Sequence, residues 1–391
     1  MNKIPCLLSL LAMATGSVAE ELPALLRGLA VGDFSAPMRE ADRQALPTRE
    51  IDGEPPESGV RYWQTPLYKM DSFGCYVSWI NCGTDEAPQM EKWENEWGRN
   101  ASERGMVCET GTSFAAIAHR EQRFSGEIIN DVFTPPSMGA EADAPPTLSP
   151  LRGITRTETY RDSEYGRIAL VCACPDYRPG SVSLMPAILT SPDGAAGSWT
   201  YHGLLTGEPQ EELARLNGGN VWSDGGSLFR MPDASWRIYL NGFGGATLAM
   251  LTADTLKGPW KFLRDENGAI RDLFGDGTGV PVPKVGLCFP HVLRVSDTEW
   301  HFWASDQWTP QSIWHYVSED GLAWKAYGQQ PEITRALVGG RGIKCLRTYL
   351  SEDKKTIYGF LSVWGDVGTR GGGKGWRLYV MTLPAGMPPQ Q

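Results

Sequence analysis

Asp224, in Asp224-Gly225-Gly226-Ser227-Leu228-Phe229, and Glu158, in Arg156-Thr157-Glu158-Thr159, are two carboxylates set at the openings of predicted strands. Two acids that converge on one cleft can divide proton donation and proton acceptance between them, because burial and like charge push their pKa values apart. His291, Lys344, Arg347 and Arg156 could supply the cationic or hydrogen-bonding groups around such a pair. Trp222, Trp308 and Trp364 fall at strand ends, where an indole face can stack on a flat ligand.

Each residue also has an ordinary structural reading. An Asp beside Gly-Gly is most often a turn residue, Glu158 could lie on the exposed face of an edge strand, and a His before an apolar strand is commonly a hydrogen-bonded core residue. Asp193, Asp254 and Asp320 sit in Ser/Thr-x-Asp turns and read as structural, since their side chains can satisfy turn amides. Gly371-Gly372-Gly373 reads as a hairpin turn, because no strand-to-helix context makes it a phosphate cradle.

A repeat must position these residues. Leu228 to Trp236 lies over Val292 to Trp300 at a constant offset of 64, and Trp260 and Trp324 are again 64 apart. Each copy reads as an apolar strand, an Asp-centred turn, a second strand, then a third strand that leads through Thr252-Ala253-Asp254 or Ser318-Glu319-Asp320 to a Trp. Alternating aromatic and β-branched residues between Asp, Gly and Pro turns are strand and hairpin signals. Such a unit cannot bury both of its faces alone, so several must stack, as the blades of a propeller do.

Five blades can be counted. The first is expected to open at Trp63 to Met70 and continue through Cys75 to Ile80, with Gly83 to Arg104 as a polar excursion before Met106-Val107-Cys108 and Phe114 to His119. The second has Ile154 to Tyr160, Arg167 to Cys174 and Ala187 to Thr190, with a hairpin insertion around Pro175 to Ser183. The repeated pair gives the third and fourth. The fifth has Lys344 to Leu350, Thr356 to Trp364 and Trp376 to Leu383, and lacks a fourth strand. The N-terminal segment is expected to complete it and close the ring, which removes exposed strand edges. The fold class is therefore all-β, a five-bladed β-propeller of four-stranded antiparallel blades. Residues 126–150 read as an irregular rim loop.

Around this domain, residues 1–19 read as a signal peptide: Lys3, an apolar stretch from Ile4 to Ala14, and Ser17-Val18-Ala19 as a cleavage site. Residues 20–58 read as an extension with one short helix at Ala24 to Ala30, 59–385 as the propeller and 386–391 as a tail. The protein is expected to be secreted or periplasmic, monomeric and without a membrane span, since no apolar run approaches ~20 residues. A net charge of −10 argues against nucleic acid, whose phosphates demand a basic face. Cys75 and Cys82 could close a hairpin-sized loop, whereas Cys172 and Cys174 read as buried thiols on one face of a strand. No metal or cofactor is expected.

Ser318-Glu319-Asp320-Gly321 leading to Trp324, and Ser191-Pro192-Asp193-Gly194 leading to Trp199, resemble the blade grammar of the five-bladed glycoside hydrolases. The likeness, over about residues 60–385, is to the arabinanase and β-xylosidase clan, with an incomplete catalytic triad. It implies a site in the central funnel, at the first residues of each innermost strand, with an Asp as base, a second Asp tuning it, and a Glu as acid. Asp224 to Phe229 is similar to the clan's Asp-Pro-Ser-x-Phe strand start, with one extra residue. Cys288-Phe289-Pro290-His291 is similar to Glu-x-Pro-His, with Cys288 where the acid stands. Gln64-Thr65-Pro66 is similar to His-Asp-Pro without its Asp.

The resemblance thus implies Asp224, Glu158 and His291 as catalytic candidates, and Trp222, Arg156, Lys344, Arg347, Trp308 and Trp364 as substrate-binding ones. The partner implied is an oligo- or polysaccharide. Hydrolysis would need a protonated acid at the leaving oxygen and an ionised carboxylate, ~5 Å apart for retention or ~6.5–9.5 Å for inversion. The alternative is a non-catalytic carbohydrate-binding or surface-interaction propeller, favoured by the missing acid. A sialidase-like enzyme fits less well, since no arginine triad is evident and a blade is lacking.

Overall fold

Leu287–Ser296, Glu299–Asp306, Ser312–Ser318 and Trp324–Ala326 pair antiparallel in that order, with Ile333–Thr334 added beside the third strand. This is blade 4. Blade 3 is the same hairpin series one repeat earlier: Ser223–Arg230, Trp236–Gly242, Leu248–Ala253 and Lys261–Phe262. The register carries the repeat, since Trp236 stands opposite Arg230 and Trp300 opposite Arg294. Each tryptophan lies under its partner's guanidinium, at 5.5 Å and 5.4 Å. Each also packs edge-on against an aromatic ring of the preceding blade, Trp236 on Tyr165 and Trp300 on Phe229. Burying one such side chain contributes up to about 3 kcal/mol, and here the burial exists only because blades stack.

The computed structural model describes residues 22–38, 63–74, 76–97, 103–115, 117–125, 153–174, 177–178, 181–182, 185–204, 223–242, 248–274, 287–306, 312–328, 330–364 and 376–386. Blade 2 is Gly153–Asp162, Gly166–Cys174, Met185–Ser191 and Thr200–Leu204, with the expected insertion present as the ribbon Tyr177–Arg178 and Ser181–Val182. Blade 5 is Ile343–Leu350, Thr356–Trp364 and Trp376–Pro384. The fold is a five-bladed β-propeller. The expected rim loop lies outside the described residues.

Two details of blade 1 differ from the sequence reading. Gln64–Phe73 does not open it. That strand pairs with Trp376–Pro384 and is the fourth strand of blade 5, with Ala30–Val31 added beyond it. The ring is therefore closed by an N-terminal strand, and blade 1 begins at Val77–Asn81. Residues 83–104 are not merely a polar excursion, because Met90–Trp97 is the second strand of blade 1, followed by Glu103–Gly111 and Ile117–Ser125. The expected helix at Ala24 to Ala30 is a single 3-10 turn, Ala24–Leu26.

The Ser-x-Asp turns act as read for Asp193 and Asp320. Gly321 N donates to Ser318 Oγ, and the amides of Leu322 and Ala323 donate to one oxygen of Asp320. Asp193 accepts from Ala195 N and Ser198 Oγ in the same manner. Cys82 is a free thiol that accepts from Arg167, while Cys75 lies outside the described residues. Cys172 and Cys174 lie on the second strand of blade 2, with side chains outside the described set. No helix among the described residues is long and apolar enough to cross a membrane.

Candidate active site in the central funnel

The five innermost strands run side by side around the axis, and the hydrogen bonds between them define equivalent positions. Thr159 N donates to Ser78 Oγ, Val292 N to Ser227 Oγ and Thr348 N to His291 Nε2. In each case a side chain of one blade accepts from the next blade's inner strand, one residue beyond that strand's own equivalent position. The position so defined carries Ser78, Glu158, Ser227, His291 and Arg347, one from each blade. Ser227 and His291 are related by the offset of 64, so the repeat itself aims them at one centre.

Glu158 is the hub of this ring. Its Oε2 accepts from Tyr160 Oη at 2.5 Å and Ser227 Oγ at 3.2 Å. Its Oε1 lies 3.1 Å from His291 Nδ1 and 3.3 Å from an Arg347 guanidinium nitrogen. Three hydrogen-bond donors and the Arg347 ion pair surround one ionised carboxylate. Burial alone would raise the Glu158 pKa, but His291, Arg347 and the hydrogen bonds outweigh it and hold the group below the usual range. Glu158 in this state has no proton to offer.

His291 can be assigned a tautomer. The Thr348 amide points its hydrogen at Nε2, so Nε2 accepts and the proton sits on Nδ1, facing Glu158. Burial lowers the His291 pKa, with Glu158 opposing, which agrees with a neutral ring. Arg347 is buried, donates to the Pro290 carbonyl and lies 4.6 Å over the Tyr76 ring. Burial disfavours its charge, but Glu158 reverses this and its pKa is raised. Tyr160, half-buried beside the carboxylate, is pushed well above its ordinary value and stays a donor, while accepting from Leu228 N.

A second tier lies upstream on the same strands. The pairing of inner to second strand slips between Thr155 and Glu158, Ser223 and Gly226, Cys288 and His291, and Ile343 and Leu346. Four blades thus carry an irregularity within one residue of the same place, and such bulges re-aim side chains next to active sites. The residues inside them include Arg156, Asp224, Phe289 and Lys344. Asp224 and Arg156 are placed here by backbone alone, because their side chains lie outside the described set.

The tier is strained and aromatic at blade 4. Phe289 has φ of 59°, an uncommon conformation for a bulky residue, and its ring packs on Tyr76 at 5.5 Å. The Lys344 ammonium lies 4.8 Å over Phe289 and 5.5 Å over Trp376, and Trp364 packs against Trp376 at 5.2 Å. Cys288 is buried, its thiol beside Ser305 Oγ and the Asp306 carbonyl.

Of the sequence candidates, the structure brings together Glu158, His291 and Arg347, with Lys344 and Trp364 near Trp376. Trp222 and Trp308 lie outside the described residues. The proposed correspondence of Gln64-Thr65-Pro66 with a funnel strand is overturned, because those residues lie on the fourth strand of blade 5, away from the axis. Sequence reasoning missed Tyr160, Ser227, Ser78 and Thr348. Ser227 was within reach, since the offset that relates the two tryptophans also relates it to His291.

No family model and no curated protein matches the sequence. Solved structures match the fold. An α-L-arabinofuranosidase from Lactobacillus brevis aligns at 12% identity over 80% of this chain and 90% of its own, with a TM-score of 0.51. An exo-β-1,3-galactanase from Clostridium thermocellum aligns at 14% over 84% of this chain and 63% of its own, TM-score 0.51. One from Phanerochaete chrysosporium aligns at 12% over 83% and 63%, TM-score 0.50. The chain shares the fold of these glycoside hydrolases. It spans about 63% of the length of the two galactanases. At such identities the likeness is one of fold, and chemistry must be argued from the site.

Proposed function

We propose that the protein is an exported glycoside hydrolase that cleaves oligo- or polysaccharide chains in the central funnel. The reading rests on one observation: bulges in the inner strands carry Arg156, Asp224 and Lys344 directly upstream of a buried, ionised Glu158 held by His291 and Arg347. Asp224 is the carboxylate assigned to the scissile bond. Glu158 and Arg347 set the charge behind it, and His291, with its proton directed to Glu158, keeps the floor rigid. Lys344 and Arg156 orient the sugar, and Trp222, Trp308 and Trp364 supply stacking faces. Arabinose- or galactose-bearing plant or algal glycans are the first substrates to test, given what the structural neighbours act on.

A second reading, a propeller that binds glycans without cleaving them, is favoured by Cys288 and Phe289, an apolar pair where the resemblance implies the acid. The two readings separate on one assay, reducing-sugar release from a panel of plant and algal polysaccharides. As a hydrolase, the native protein releases sugar, and Asp224→Ala loses several orders of magnitude in turnover with an unchanged melting temperature. Undiminished release by that variant would remove Asp224 from the site. A silent native protein that binds a glycan, and loses affinity in Trp222→Ala or Trp308→Ala, is the binding module.

A further inference from the structure

A stack of rings and cations climbs from the floor of the funnel to the end of blade 5 where its inner strand begins. Its lowest member is Arg347, whose guanidinium lies 4.6 Å over the Tyr76 ring. Tyr76 meets Phe289 edge-on at 5.5 Å, and the Lys344 ammonium lies 4.8 Å over Phe289 and 5.5 Å over Trp376. Trp364 packs on the far side of this group, 5.2 Å from Trp376. Arg347, Tyr76, Phe289 and Trp376 are buried. Lys344 and Trp364 are half-buried, so the members of the stack that meet solvent are a cation and an indole, neighbours on Trp376.

Packing alone does not ask for a lysine here. An alkyl side chain would fill the space between the two rings without partly desolvating an ammonium. The backbone is strained at the same point, since Phe289 takes φ of 59° inside the blade 4 bulge and so sets its ring under the Lys344 ammonium. Ring faces hold a cation in position, more firmly as water is withdrawn. The charge balance points the same way. On the floor Glu158 and Arg347 offset each other, and the bulged positions above them carry Arg156 and Lys344 against Asp224. With His291 neutral, the described floor and bulges have a surplus of one positive charge, in a chain of net charge −10. A cleft of one sign concentrates ligands of the other.

We propose that the funnel selects anionic glycans, with Lys344 pairing with a carboxylate or sulfate ester on a sugar that stacks on Trp364. This rests on the reading of the funnel as a glycan site and adds the charge class of its ligand. A uronic acid and a sulfated sugar offer the same chemistry, an anion fixed beside a ring that stacks. Lysine suits either, being a compact point charge without the planar fork that matches a carboxylate. Selection comes from the charge pair, because a stacking face serves neutral and acidic sugars alike.

The test uses glycans matched in all but charge: an arabinogalactan that bears uronic acids, before and after reduction of its carboxyl groups, and a sulfated algal galactan, before and after desulfation. Affinity is read by calorimetric titration and turnover by reducing-sugar release. The native protein should bind one charged form about tenfold or more tighter than its neutral partner at low salt, as a hydrogen bond between charged groups supplies. That ratio should fall towards unity at about 1 M salt, where screening acts within about 3 Å. The pair that responds tells carboxylate from sulfate. Lys344→Met, which keeps a stem on the rings, should bring the ratio close to unity, and Lys344→Arg should retain most of it; Lys344→Gln replaces the methionine variant should that one not fold. Equal affinity within both pairs, no binding of either charged form, or a ratio that survives loss of the Lys344 charge overturns the proposal, even where sugar is released. Selective binding that follows Lys344 without any release upholds it and removes the hydrolase reading instead.

Discussion

Replacing Glu158 by Gln keeps the side chain's shape and removes its charge. The carboxylate takes three hydrogen bonds and one ion pair, and an amide offers one oxygen and two hydrogens, so at least one of Tyr160, Ser227, His291 and Arg347 must face an N–H. The larger cost is electrostatic. Arg347 is 1% exposed, and its remaining contacts are the Pro290 carbonyl and the Tyr76 ring face. Breaking a buried ion pair from one side typically costs about 3–5 kcal/mol. At roughly 2 °C per kcal/mol, the value for large domains, Glu158→Gln should melt about 6–10 °C below the native protein.

A double variant, Glu158→Gln with Arg347→Met, removes the stranded charge and should recover at least about half of the loss. Thermal melts of the native, single and double variants at neutral pH provide the assay. Because the folded pKa of Glu158 is depressed, its contribution is present above the ordinary carboxylate range and fades as pH falls through the folded value. The single variant should therefore show a flatter acid limb. A single variant within about 1 kcal/mol of native, or a double variant no better than the single, would refute the view of Glu158 as a charged hub.

Gly321 has φ of 73°, and a Cβ there would collide with Tyr239 Oη and meet the Trp300 ring at 3.2 Å, whereas Gly197, φ 80°, has open space. In urea melts Gly197→Ala should cost about 1 kcal/mol and Gly321→Ala about 2–4, the difference reporting the contact between blades 3 and 4. Equal costs would dismiss that contact. A chain that begins at residue 74 lacks the closing strand and leaves Trp376–Pro384 as an open edge beside the space vacated by buried Leu67 and Met70. It should aggregate on expression; a soluble, monodisperse product by light scattering would contradict ring closure as a requirement.

The repeat was legible because each hairpin carries one large tryptophan at a fixed place, and a blade has no other use for that volume than the neighbouring blade. The closing strand was recognisable as a strand but not by its neighbour, since alternation fixes which face is apolar and says nothing of a partner some 300 residues away, as Gln64 is from Thr382. Met90–Trp97 was hidden by its charges. Lys92 is buried, held by Glu94 at 3.0 Å and Glu109 at 3.1 Å, and Glu91 accepts two bonds from Arg167 across the blade boundary. Satisfied ion pairs made a core strand read as a solvated loop. Glu158, His291 and Arg347 were nominated by type. Their convergence required the equivalence of inner strands, which two residues between tryptophans do not announce.

That equivalence also constrains the chemistry. A propeller directs the same register position of every blade at one axis, so five side chains there form a ring without further design. In this protein the ring holds one acid, and every donor around it stabilises the anion. A general acid needs the reverse, a site that favours the protonated form. On the hydrolase reading, the proton donor is therefore sought outside the ring, among the bulged positions and the segments that surround the funnel mouth. A pH–rate profile tests this step. If Glu158 were the acid, Glu158→Gln would erase the alkaline limb of turnover. If it is the anionic floor, the variant keeps that limb, with an apparent pKa shifted downwards, because removing a nearby negative charge eases ionisation of the true acid.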